Sequence, residues 1–201
     1  MGRSAFDHAD FLEAALALVS ERGPPAVTVA AITERLGAPT GSFYHRFASR
    51  DALLGELWLN TVLDFQQGLA TAFAAGDGLA AALHTPAWVR EHLDEGRVLL
   101  MYHRNDFVQG DWPSALRKRV AAHVRASGAR QEEFARLIFN SSSAEARRRT
   151  QFVLAEVPVA AVRQHLLRRE PPPPIVDELI RTTYRAVVAA YRRKTAAPRS
   201  R

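Results

Sequence analysis

Thr28-Val29-Ala30-Ala31-Ile32-Thr33-Glu34-Arg35-Leu36-Gly37-Ala38-Pro39-Thr40-Gly41-Ser42-Phe43-Tyr44-His45-Arg46-Phe47 is the stretch whose reading decides the fold. Thr28 offers a side-chain oxygen to the start of a short helix, 29–36, and Gly37 is the residue that ends one. Pro39 then forces a sharp turn into a second helix over 40–47. Two helices joined by about four residues make a helix-turn-helix. Ile32 and Leu36 face inward from the first helix, Phe43 and Phe47 from the second, where they stand four residues apart. Thr40, Gly41, Ser42, Tyr44 and His45 are left on or near the outer face. They are small or hydrogen-bonding, the kind of residue that enters a major groove closely.

Working outward, Phe11, Leu12, Ala15, Leu16, Leu18 and Val19 recur at helical spacing before Gly23-Pro24-Pro25. Ser49 is placed to cap a long helix that runs through Leu53, Leu57, Trp58, Val62, Phe65 and Leu69 to about residue 75. Further helices are expected over 79–95, with Pro86 kinking or restarting it, and over 97–107. Others follow over 114–126 and 131–139, parted near Gly128. A long helix over 145–169 is expected to bend at Pro158. Pro171–Pro174 reads as a stiff extended spacer before a last helix over 175–193. No stretch alternates as a strand does. The expected fold class is all-α, with about nine helices.

The residues 11–54 resemble the tetracycline-repressor (TetR) family of one-component regulators. The likeness rests on Phe11-Leu12-Glu13-Ala14-Ala15, Gly23, Thr28-Val29-Ala30-Ala31-Ile32, Leu36-Gly37, Gly41–Phe47 and Ser49-Arg50-Asp51-Ala52-Leu53-Leu54, in one gapless register. It implies that Thr28 and Tyr44 grip backbone phosphates. It places Arg50 where the family usually has lysine, at a helix start whose dipole also favours a phosphate. Thr40, Gly41, Ser42 and His45 match groove-facing positions. Two departures stand out. Pro39 replaces the usual serine-like cap of the recognition helix, and Ala30 has no hydrogen-bonding group where some members read a base. The resemblance further implies a homodimer on a palindromic operator in double-stranded DNA, and a repressor released by an unidentified small-molecule ligand.

Composition supports this only in part. The net charge is +6, yet residues 1–50 hold five basic and five acidic residues. Arg192, Arg193, Lys194, Arg199 and Arg201 account for all but one unit of the excess. A high net charge is therefore no argument for DNA by itself. Absence of cysteine excludes disulfides and thiolate metal sites. No signal core or membrane-spanning run is visible, which points to a cytoplasmic protein without membrane partners. No catalytic signature is present, so no enzyme activity and no cofactor are expected.

His84, Trp88 and His92 recur every four residues, and Tyr102, His103 and Asp106 make a second polar and aromatic face. No dense metal-ligand motif accompanies them, so no metal site is assigned. Trp88, His92, Tyr102, His103 and Trp112, together with Phe134, are the candidate lining of an organic-ligand pocket. Val153, Val157 and Leu167 on one helix, with Val176, Leu179, Ile180, Thr183 and Val187 on the last, form stripes suited to an isologous dimer bundle. The expected organisation is a DNA-binding unit over 1–48, a ligand-sensing and dimerisation domain over 49–194, and a basic disordered tail over 195–201. The alternative is a helical small-molecule-binding or catalytic protein whose N-terminal unit has lost DNA binding.

Overall fold

The computed structural model describes residues 6–107 and 112–196, with the backbone alone over 123–130. The described chain forms eleven α-helices and no strand. They are α1 (His8–Arg22), α2 (Val29–Leu36), α3 (Thr40–Tyr44), α4 (Arg50–Ala74), α5 (Gly78–Glu91), α6 (Leu93–Met101), α7 (Arg104–Phe107), α8 (Ser114–Phe139), α9 (Ala144–Gln151), α10 (Val157–Arg168) and α11 (Ile175–Ala196). A 3₁₀ turn, Pro24–Ala26, precedes α2, and a π-helical turn, Phe152–Glu156, joins α9 to α10.

The chain divides into two compact units. The first is built on the chain up to Asp64 together with Asp94–Ala122. The second is built on Phe65–Leu93 and the chain from His123. This cut differs from the expected division into 1–48 and 49–194, because α6, α7 and the start of α8 pack with the N-terminal helices. Position 195 and Ala196 are helical rather than tail, and the remainder of the expected tail lies outside the described residues.

In the first unit Phe11, Leu18 and Val19 of α1 meet Ile32, Phe43, Phe47, Leu53, Leu54 and Leu57 in one core. Full burial of each such side chain is worth about 1.5–3 kcal/mol. Val98, Phe107, Trp112, Leu116 and Val120 join the same core. Polar bonds reinforce that association. Ser20 donates to Asp94, Arg97 Nε donates to the Ser20 carbonyl at 3.0 Å, and the Tyr102 hydroxyl reaches the Val19 carbonyl at 3.4 Å. Trp112 lies flat against α4, where a Cβ at Gly55 would come within 2.6 Å of the indole.

In the second unit α5, α10 and α11 pack on one another. Arg90 forks onto Asp177 at 2.8 and 3.0 Å and donates to the Pro172 carbonyl at 2.8 Å. The proline run is thereby tied to α5. Phe139 meets Tyr191 edge-on, and Phe134 meets Phe73 in the same way.

Four helix ranges depart from expectation, and the one expected over 97–107 is divided into α6 and α7. Helix α8 continues through Gly128, since one glycine costs only about 1 kcal/mol in a helix. Helix α5 runs through Pro86 and stops at His92, whose backbone leaves the helical region at φ −130° and ψ 61°. The helix expected over 145–169 is interrupted rather than bent. Pro158 has no N–H, and its ring crowds the carbonyl four residues back. The preceding turn widens, so that the Val157 N–H bonds to the Phe152 carbonyl, five residues away.

Burial corrects the expected dimer stripe at three positions. Val153, Val176 and Ile180 are buried within their own unit and have no surface to offer a second copy. Val157, Thr183 and Val187 are half-buried. Leu167 and Leu179 are exposed at 62% and 59%, and Ile175 is exposed beside them.

Candidate nucleic-acid interface

The recognition element starts from two short helices positioned by local bonds. Thr28 Oγ1 accepts from the Ala31 N–H at 3.0 Å and caps α2. Gly37 ends α2 in the left-handed region at φ 66° and ψ 27°, where only a residue lacking Cβ sits without strain. Its N–H bonds the Glu34 carbonyl, and the Ala38 N–H bonds that of Thr33. Helix α3 begins at Thr40 with no side-chain cap, as Pro39 supplies no acceptor. Ser42 Oγ instead donates to the Pro39 carbonyl at 2.6 Å. The helical turn continues past α3, and the Phe47 N–H bonds the Phe43 carbonyl at 3.0 Å.

Phe43 and Phe47 anchor α3 to α1. Phe43 sits edge-on to Phe11 with ring centres 5.9 Å apart, and His8 stacks on Phe47 at 4.2 Å. His8 Nε2 also lies 2.9 Å from Glu56 Oε1. Arg46 bonds the Ser42 and Phe6 carbonyls and lies over the Phe11 ring. Glu21 of α1 forks onto Arg35 of α2 at 2.7 and 2.9 Å, and this bond holds the guanidinium pKa above its ordinary value.

On this frame Thr28, Thr40, Gly41, Tyr44 and His45 are exposed, and Ser42 is half-buried. Tyr44 is 60% exposed, although Phe43 beside it is fully buried. A unit serving only to pack helices would have drawn one of Tyr44 and His45 inward. Gly41 differs in kind from Gly37. It has no left-handed backbone, and a Cβ there would meet nothing within 4 Å. The fold therefore gives no reason for glycine at 41.

Arg50 opens α4, and its guanidinium is engaged within the fold. Its guanidinium donates to the Val27 carbonyl, to the Pro24 carbonyl at 2.8 Å and to Asp51 at 2.9 Å. Two of these bonds hold the 24–27 turn against the start of α4, and the third stays within α4. The sequence carried no sign of this, because the acceptors are backbone carbonyls more than twenty residues upstream.

The expected ligand-pocket residues fall into both units. Trp88 and His92 belong to the second, where they stack with centres 5.1 Å apart, and Phe65 stands edge-on to Trp88. His84 lies on the backbone of Gly68, with Nε2 2.7 Å from the Phe65 carbonyl. Tyr102, His103 and Trp112 belong to the first unit, where Trp112 is core and Tyr102 packs against it. Among the described residues no group of three or more histidines and acids could hold a metal ion. A cavity of about 160 Å³ does open in the second unit, and of the expected residues it uses Phe134: its apolar wall is Leu69, Phe134, Leu154 and Ala155.

An exposed, hydrogen-bonding helix carried on a buried aromatic anchor is the reading head of a DNA-binding transcriptional regulator. Residues 11–57 match the bacterial regulatory proteins of the tetR family, so the chain carries that family's DNA-binding domain. Solved structures share the fold. A TetR-like transcriptional regulator from Rhodococcus sp. RHA1 is similar at a TM-score of 0.69 and 20% identity, covering 94% of this chain and 99% of its own. The fatty acid degradation regulator FadR from Bacillus halodurans is similar at a TM-score of 0.64 and 12% identity, with full coverage of both chains. No curated protein matches the chain. No described helix is long and apolar enough to cross a membrane.

Proposed function

We propose that this regulator binds a palindromic operator as a cytoplasmic homodimer and acts as a repressor released by a small molecule. Tyr44 and Thr28 grip phosphates, while Thr40, Gly41, Ser42 and His45 face the bases. Arg50 acts chiefly by holding the 24–27 turn that presents Thr28. The observation that carries the reading is Gly41: glycine stands in a helix where the protein itself leaves room for a side chain, and a closely approaching groove explains it. The exposed apolar side chains Leu167, Ile175 and Leu179 are the surface proposed for the dimer, since covering apolar area drives such pairing. Two copies reading a palindromic site would each place an α3 helix on successive major-groove faces, about 34–36 Å apart. The sensing and dimerising role is proposed for the second unit and the DNA-binding role for the first.

Selection of bound sequences from a random DNA pool, followed by mobility shift over a salt series, tests the proposal. A palindromic site whose affinity falls steeply with salt is expected, because phosphate contacts release counterions. No enriched site and no shift at low salt would favour the alternative, a helical protein that has lost DNA binding.

A further inference from the structure

The cavity of the second unit holds about 160 Å³, a space of the order that takes one benzene-sized ring. Beyond the apolar wall, its remaining described lining is Gln66, Gln131, Thr150 and Gln151. None of these eight side chains is ionisable. Thr150 has already committed its proton to the Ala146 carbonyl at 3.0 Å, so its oxygen can only accept. At the exposed rim the Gln131 amide donates to Gln151 at 3.1 Å, bridging α8 to α9. One wall is the π-helical turn itself, through Leu154 and Ala155. Such single-turn bulges recur at functional sites.

From this chemistry we infer that the cavity takes a compact, uncharged, mainly apolar molecule with one hydroxyl- or amide-like end set against the glutamines. A carboxylate or ammonium would lose its hydration with no opposite charge among the described lining to replace it, which disfavours both. An apolar ring replaces poorly held water on the Phe134 and Leu154 side. A polar end that both donates and accepts suits glutamine amides, which do the same. The inference rests on the reading of a ligand-released regulator and names the ligand class for it.

Benzyl alcohol, benzoate and benzylamine share one ring and differ in charge, and they are the probes. Thermal shift and calorimetry on the full chain are expected to show benzyl alcohol binding at least tenfold more tightly than either ion. Its ring protons should show magnetisation transfer to the Leu69 and Leu154 methyls. Ala155→Phe, which fills the space, should abolish binding, and the wild-type transfer experiment decides the point if that variant fails to fold. Equal binding of benzoate, no binding of benzyl alcohol at millimolar concentration, or transfer to other methyls alone would each overturn the inference. Mobility shift separates it from the reading beneath it. Benzyl alcohol that seats in the cavity yet leaves DNA bound upholds the ligand class and overturns release through this cavity.

Discussion

Replacing Gly41 with alanine separates what the fold needs from what DNA needs. The added Cβ meets no protein atom within 4 Å, and the backbone there is helical with no left-handed torsion. Alanine is favoured over glycine in a helix interior by about 1 kcal/mol, and about half of that is expected in the first turn of a short helix. For a chain of this length the melting temperature should then rise by about 1–2 °C. On the operator the sign reverses. A methyl group at a closely packed groove contact displaces α3 and weakens at least one base contact, each worth about 1–3 kcal/mol. Affinity should fall roughly 5- to 150-fold. Thermal denaturation and fluorescence anisotropy with a labelled operator measure both on one preparation. Gly37→Ala is the control, since its φ of 66° should cost about 1–2 kcal/mol of stability. A Gly41→Ala protein that is more stable and binds the operator as tightly as wild type would refute the groove assignment.

Tyr44→Ala should weaken binding to all DNA sequences alike, whereas His45→Ala should change base preference by about 1–3 kcal/mol at one position; binding selections on both variants check this, and equal sequence-blind losses would remove His45 from the base-reading set. Arg50→Ala should lower stability by about 1–2 kcal/mol through loss of charge-assisted bonds to Pro24 and Val27, with calorimetry as the measure. If Arg50 acted on phosphate alone, that variant would melt like wild type and lose only DNA affinity. Leu179→Glu should give a monomer by sedimentation at micromolar concentration and abolish operator binding, while Ile180→Glu should unfold the second unit because Ile180 is buried in its own chain.

The recognition element was legible because its determinants are local. A threonine cap, a glycine stop and two phenylalanines four residues apart lie within twenty residues, and each shows in the sequence the bond it later makes. The cavity of the second unit was legible at Phe134 alone. Its lining comes from α4, α8 and the 150–155 segment, and glutamine, threonine and alanine look unremarkable in any one of them. The aromatic and histidine residues that drew attention instead were following a different rule. Trp112 and Tyr102 complete the core of the first unit, and His84, Phe65, Trp88 and His92 pack ring against ring within the second. The stripe proposed for a dimer keeps only part of the surface expected of it. Leu167 and Leu179 are exposed as their spacing suggests, but Val153 lies where the helical period breaks.

The π-helical turn before Pro158 has a bearing on how this scaffold tolerates insertions and deletions. A π turn holds one residue more than the α turn it replaces, so removing one residue from 152–156 leaves the flanking helices in phase. The same loss in α4 would rotate everything beyond it by about 100°. The surplus residue and the proline are also bound to one another. Close the turn while keeping Pro158, and its ring meets the carbonyl four residues back. Replace Pro158 while keeping the extra residue, and nothing compels the wider turn. Each change is harmful without its partner, so homologues should carry a proline with the longer helix or neither, and a family tree should show the two traits gained and lost together.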